Sequence, residues 1–136
     1  RLSGGFFASH GHPLAYGVNF IGAAIKAALG YMLEEPKPYA RGFVSQRYIF
    51  PSPGDIGKTI ESVGDELPIW SGIKSEDRPI LATWNIHVGD VVKPITCHPD
   101  RWGQALASGR TPDEACTRVE SAVAKMKRGI VLDDMT

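Results

Sequence analysis

The residues best suited to chemistry open the chain. Arg1-Leu2-Ser3-Gly4-Gly5-Phe6 sets an arginine beside a small Ser-Gly-Gly turn. Such a turn exposes backbone N–H groups next to a cation, which suits the binding of a phosphate or a carboxylate. A terminal glycine turn carrying a solvated arginine fits the same composition. His10 and His12 flank Gly11, and Cys97 adjoins His98. Each pair supplies two of the three or four ligands a metal site needs, with no cysteine or carboxylate cluster beside it, so no metal site is expected. Cys97 paired with a histidine is a conceivable nucleophile, but no third group points to it. Cys116 falls inside a helix near its apolar side and reads as core. Gly57-Lys58-Thr59 looks like the end of a phosphate loop, yet the first glycine of that motif would fall at Ser52. The next residues, Ile60-Glu61-Ser62-Val63, read as strand, whereas a phosphate loop opens a helix. A turn entering a strand is expected there.

The chain around these residues has 136 positions, 43% of them hydrophobic, with 15 Lys+Arg against 15 Asp+Glu. That is enough apolar material to bury a core, and wholesale disorder is not expected. Zero net charge argues against nucleic acid and against a polybasic membrane-surface role. Residues 1–50 carry five Lys/Arg and two Asp/Glu, a balance of +3, and the remainder carries −3; the asymmetry is too small to name a partner. Two cysteines are too few for a disulfide framework, and a reduced, cytoplasmic setting is expected. Leu2 to Ile25 is free of formal charge, but Ser9-His10-Gly11-His12-Pro13 and Asn19 interrupt it, so neither a span nor a signal sequence is expected. The first residue is Arg1 rather than Met, which reads as a processed, split or truncated chain.

Two helices frame a run of strands. Asn19 is a good N-cap for a helix over 19–30, whose Phe20, Ala23, Ala24, Ala27 and Ala28 recur at helical spacing and whose stop is Gly30. Its alanine-rich side predicts close packing on a neighbouring element. Pro36-Lys37-Pro38 punctuates, and strands are expected over 42–50, 55–63, 67–75 and 79–88, with turns at Pro51-Ser52-Pro53-Gly54 and Val88-Gly89-Asp90-Val91. Gln104 to Ala107 reads as a short final strand. Thr111-Pro112-Asp113-Glu114 is a capping box opening a helix over 111–128, with Ala115, Val119, Ala122, Val123 and Met126 along one side and Gly129 ending it. Helix, antiparallel strands, helix is an α+β order. Trp70, Trp84 and Trp102 are expected in the core rather than on a docking surface.

Taken in order, four stretches resemble the C-terminal portion of an ATP-grasp superfamily ligase, nearest in layout to the biotin carboxylase-like and carbamoyl-phosphate-synthase-like enzymes. Arg1 to Phe6 resembles the end of the family's Glu-x-Asn-x-Arg strand and the loop after it. Pro13-Leu14-Ala15-Tyr16-Gly17-Val18-Asn19 resembles the start of the next helix. Phe50-Pro51-Ser52-Pro53-Gly54-Asp55-Ile56 resembles the turn opening the small β-subdomain. Gly103 through Ala115 resembles the strand and helix start that close it, and Val88-Gly89-Asp90-Val91-Val92 fits the turn before. The resemblance covers nearly the whole chain.

The resemblance implies the end of an ATP-grasp domain over 1–38, a loop plus helix, and a small antiparallel β-subdomain with a terminal helix over 39–136. It implies catalytic roles for Arg1 and Arg47 and substrate contacts at Ser3, Gly4 and Gly5. The activity implied is ATP-dependent activation of a carboxylate to an acyl phosphate and coupling to an amine. The alternatives are a bicarbonate-activating enzyme of the biotin carboxylase or carbamoyl-phosphate-synthase kind, or a non-catalytic interaction domain. In biotin carboxylases Gln-Val-Glu-His comes after the first arginine; Leu-Ser-Gly-Gly stands here, closer to the carboxylate–amine ligases. ATP and Mg²⁺ are expected in the intact enzyme, with none bound by this chain alone, because the family's metal and nucleotide ligands precede Arg1. The partners implied are that upstream ATP-binding segment or subunit and a small carboxylate, with no nucleic acid and no membrane; a homo-oligomer is compatible. The chain alone is expected to be inactive.

Overall fold

The computed structural model describes residues 5–35, 37, 40, 42–67 and 79–133. At the start, the amides of His10 and Gly11 both donate to the Phe6 carbonyl at 2.9 Å, forming a wide turn over Phe7–Gly11. The turn runs directly into a short helix, α1 (His12–Tyr16), which Gly17 ends. Neither was expected from the sequence. The next helix, α2 (Phe20–Ala28), starts as expected, with the Asn19 side-chain oxygen accepting from the Gly22 amide at 2.8 Å. It ends two residues early, and the expectation of a packed alanine face is overturned: no residue of α2 is buried. Its contacts are with the opening turn, and it is held at its start, where Phe20 meets His12 edge-on at 5.0 Å.

Three strands form an antiparallel sheet in the order β1 (Phe43–Ile49), β4 (Gly103–Gly109), β3 (Ile80–Trp84). The reading of 104–107 as a short final strand is corrected twice. The strand runs from 103 to 109, and it is the central one. Its Gly-Gln-Ala-Leu-Ala-Ser-Gly sequence has weak strand propensity; pairing on both edges overrides that. Opposed residues share a face, so Arg47, Ala105 and Ala82 point one way, and Tyr48, Gln104 and Thr83 the other. A second, two-stranded ladder joins β2 (Thr59–Ser62) to β5 (Val131–Asp133). β2 is shorter than the expected 55–63 because Pro53–Asp55 form a tight turn, in which the Asp55 carboxylate accepts from the Ser52 amide at 2.8 Å. β5, beyond the glycine that ends the last helix, was not expected. Of the expected strand over 67–75, Leu67 bridges to Ala82 and positions 68–75 lie outside the described residues. The strand expected over 79–88 spans only 80–84.

The last helix, α3 (Pro112–Arg128), crosses the Arg47 face of the sheet. Ala115, Val119, Ala122 and Met126 recur at helical spacing and are all buried; the last three share a core with Ile49, Ile60, Ala82, Ala105, Ala107 and Trp102. Trp84 packs against the same core, its indole N–H donating to the Gly64 carbonyl at 2.7 Å. These two tryptophans are core residues, as expected; Trp70 lies outside the described residues. The opposite face carries a smaller core, Leu81, Leu106 and Leu14 with Phe6 and Val44. The opening segment and the sheet therefore share packing. Helices and antiparallel sheets together make an α+β protein, and among the described residues no helix is long and apolar enough to cross a membrane.

Thr111 caps α3 as expected, its hydroxyl accepting from the Glu114 amide at 3.1 Å. The return arm differs from the expected box: the Glu114 carboxylate accepts from Arg110 N–H at 2.7 Å, not from Thr111. Thr111→Ala should lower unfolding free energy by about 1 kcal/mol through the lost cap, read as a lower urea midpoint with an unchanged slope. An unchanged midpoint would remove the cap from the account of this helix.

Candidate functional site

The loop-side face of the sheet carries a strip of polar side chains where an apolar surface would pack better. Gln46 and Tyr48 come from β1, Gln104 from β4, and Arg101 from the residues just before β4. Gln46 is 9% exposed. Its amide nitrogen donates to Gln104 Oε1 at a long 3.4 Å, and its own Oε1 is buried without a hydrogen-bond partner. A buried acceptor left unpaired costs about 1–3 kcal/mol, so the strip is not an economical piece of core.

Gly5 lies against this strip. It adopts φ +62°, the left-handed region that side chains with a Cβ enter at a cost of about 1–2 kcal/mol. A methyl group there would overlap Gln46 Nε2, and would stand 2.8 Å from Gln104 Oε1 and 3.1 Å from the Tyr48 hydroxyl. The backbone of Gly5 thus reaches the polar tips directly because the residue is glycine. Arg1, Ser3 and Gly4, the other loop residues singled out in the sequence, lie outside the described residues.

Arg101 completes the strip. Its guanidinium carbon stands 3.7 Å from the centre of the Tyr48 ring, a cation–π stack that orients the group. The backbone at Arg101 is fixed by Asn85 Nδ2, which donates to its carbonyl at 3.1 Å. The turn His98–Asp100, immediately before, is fixed by Asp100, whose carboxylate accepts from Thr96 N–H at 2.8 Å, Thr96 Oγ1 at 2.7 Å and Cys97 N–H at 2.9 Å. Those hydrogen bonds hold the Asp100 carboxyl well below its ordinary range. Arg101 also borders a cavity of about 420 Å³ whose lining includes Asp90, Lys93 and Asp100.

Arg47 is not part of this group. It stands on the opposite face, where its Nη1 donates to Ser45 Oγ at 3.1 Å and to the Gln46 carbonyl at 3.0 Å. Its Nη2 lies 3.5 Å from Glu120 Oε1 and 3.8 Å from Cys116 Sγ, both on α3. The two resemblance-derived positions the structure describes, Gly5 and Arg47, are therefore on opposite sides of one sheet. Gln46, Tyr48, Gln104 and Arg101 were missed by the sequence reading. The signal available was alternation: in a strand over 42–50, positions 46 and 48 must face away from 47.

The remaining motifs are occupied locally. Ser9 Oγ lies 2.7 Å from His10 Nδ1, Phe6 abuts the His10 ring, and burial pushes His10 below its ordinary pKa. His12 sits among Phe7, Tyr16 and Phe20. Gly54 to Thr59 form a turn entering β2, as expected. Among the described residues no three His, Cys, Asp or Glu side chains converge to hold a metal ion. Comparison with protein-family models, curated proteins and solved structures gives no match.

Two outcomes check this geometry. Gly5→Ala should destabilise the chain by about 1–2 kcal/mol or more, because the left-handed backbone is penalised and Gln46 must move; an unchanged unfolding midpoint would place the loop off the strip. For Asp100, the folded pKa is depressed, so its contribution is fully present above the ordinary carboxylate value of 3.8 and is lost as pH falls through the lower folded value. A carboxyl ¹³C titration should show no Asp100 inflection near that ordinary value; an inflection there would show the turn's hydrogen bonds to be broken in solution.

Proposed function

We propose that this chain is the C-terminal portion of an ATP-grasp ligase that activates a carboxylate as an acyl phosphate and couples it to an amine. The observation that carries the reading is the seat of Gly5. Gly5, in a left-handed conformation, is pressed onto a strip of polar side chains. A terminal turn with a solvated arginine needs no such strip; a loop that must present backbone N–H groups to a charged substrate does. In the chemistry implied by the resemblance, a carboxylate oxygen attacks the terminal phosphorus of ATP and ADP leaves. The amine then attacks the acyl carbon, phosphate leaves, and the amine gives up a proton. The contribution of this chain is to hold the Ser3-Gly4-Gly5 loop and Arg1 against the substrate. The nucleotide and Mg²⁺ contacts belong, in this reading, to a separate ATP-binding segment.

One observation favours a second reading, an interaction module. Phe20, Ile25 and Leu29 on and after α2, with Tyr31, Met32 and Leu33, are exposed apolar groups in one stretch of chain, more than a free surface usually carries together. In the ligase reading, that stretch is where the ATP-binding segment packs.

The test is turnover by the intact protein. ATP, a carboxylate and an amine together should yield ADP, phosphate and the coupled product, and Arg1→Ala should abolish product formation. This 136-residue chain alone should release no phosphate. Turnover by the isolated chain, or ATP hydrolysis driven by bicarbonate without an amine, would overturn the proposal.

A further inference from the structure

Among the described residues, Arg101 is a cation without a counterion: its guanidinium stacks on the Tyr48 ring and makes no hydrogen bond or ion pair. The two carboxylates nearest in the shared cavity lining are engaged elsewhere. Asp100 is held by Thr96 and Cys97. Asp90 accepts from the His87 amide at 2.8 Å and lies 3.7 Å from the His87 ring nitrogen. Stacking on Tyr48 fixes the plane of the guanidinium while leaving its N–H edge unused, the arrangement that bidentate recognition of an oxyanion requires. Gln46, Tyr48 and Gln104 all converge on Gly5, and Arg101 lies over the Tyr48 ring.

We propose that Arg101 is a ligand-binding residue that holds the oxyanion of a small molecule, a carboxylate or a phosphoryl group, on the loop side of the sheet. The assignment rests on the reading of the Gly5 loop as part of a substrate site. The stacked guanidinium supplies two parallel N–H donors to that oxyanion. In this arrangement the cation that meets the substrate's charge comes from the turn before β4, not from β1.

The experiment titrates the chain with inorganic phosphate and, separately, with sodium acetate, following backbone amides by ¹H–¹⁵N spectra against sodium chloride at matched ionic strength. Saturable shifts are expected around Gly5, Tyr48, Arg101 and Gln104. The tighter of the two probes identifies the oxyanion as phosphoryl or carboxylate. Arg101→Gln should weaken that binding about tenfold or more, as loss of a charged hydrogen-bonding group does, at an unchanged thermal midpoint. Arg101→Lys should retain part of it. Equal shifts with chloride, or Arg101→Gln binding as tightly as the unaltered chain, would overturn the assignment. In the intact protein, loss of ATP-dependent coupling with Arg101-dependent phosphate binding preserved would remove the ligase reading and keep the oxyanion site. Coupling with an unchanged KM for the carboxylate in Arg101→Gln would do the reverse.

Discussion

Everything in this fold depends on how closely α3 sits on β4. The strand presents Gly103, Ala105, Ala107 and Gly109 to the helix, and at its end the helix backbone comes in so tightly that a methyl on Gly109 would stand 2.5 Å from the Ala115 amide nitrogen. Small residues on the strand let Val119, Ala122 and Met126 fill the space between the layers, and close packing of this kind tolerates little change in volume. Because the helix claims that face, the larger side chains of β4, Gln104 and Leu106, are committed to the other. One packing decision thus fixes which residues can meet the opening loop.

The same alternation sorts the functional candidates. Along β1, Ser45 and Arg47 go to the helix and Gln46 and Tyr48 to the loop. A strand gives no third direction. The loop side is then divided along its length. Leu81, Leu106 and Leu14 make it a small core at one end. At the other end, Tyr48, Gln104 and Thr83 stand opposite one another and make it polar. The glycine at position 5 lies over the polar end. A polar strip next to a half-filled apolar core lowers stability relative to a uniform one, so its presence is better explained by what it touches than by what it stabilises.

Much of this was legible in the sequence, for identifiable reasons. The last helix was written in local chemistry: Thr111 at the cap, Pro112 at the first position, apolar residues at helical intervals, glycine after the end. β1 and β3 were legible from their β-branched and aromatic content. β4 was not, because its identity as the central strand depends on two partners distant in sequence and its own residues are small. α2 was legible as a helix but not in its packing, since Ala23 and Ala24 have the same spacing whether or not anything covers them. At the site, composition pointed to the glycine loop, while the strip beneath it, drawn from positions 46, 48, 101 and 104, exists only once β1 and β4 are paired in register.

The contrast between the two arginines shows why position outweighs residue type. The Arg47 pair with Glu120 is exposed on both sides, 45% and 63%, so it contributes no more than about 1 kcal/mol and by itself would not hold the side chain. β1 is an edge of the three-stranded sheet, which leaves a long side chain a way around it. That route has a cost beyond the ion pair, since Arg47 would also give up its bonds to Ser45 Oγ and the Gln46 carbonyl and its packing beside Cys116. Arg101 has no such ties. It stands over Tyr48 with its donors unspent, and the Asp100 turn holds its backbone in place. A ligand approaching Gly5 would therefore meet a prearranged cation at Arg101, whereas recruiting Arg47 would first require dismantling its contacts with the helix. Preorganisation, more than the presence of an arginine on the nearest strand, decides which cation serves the loop.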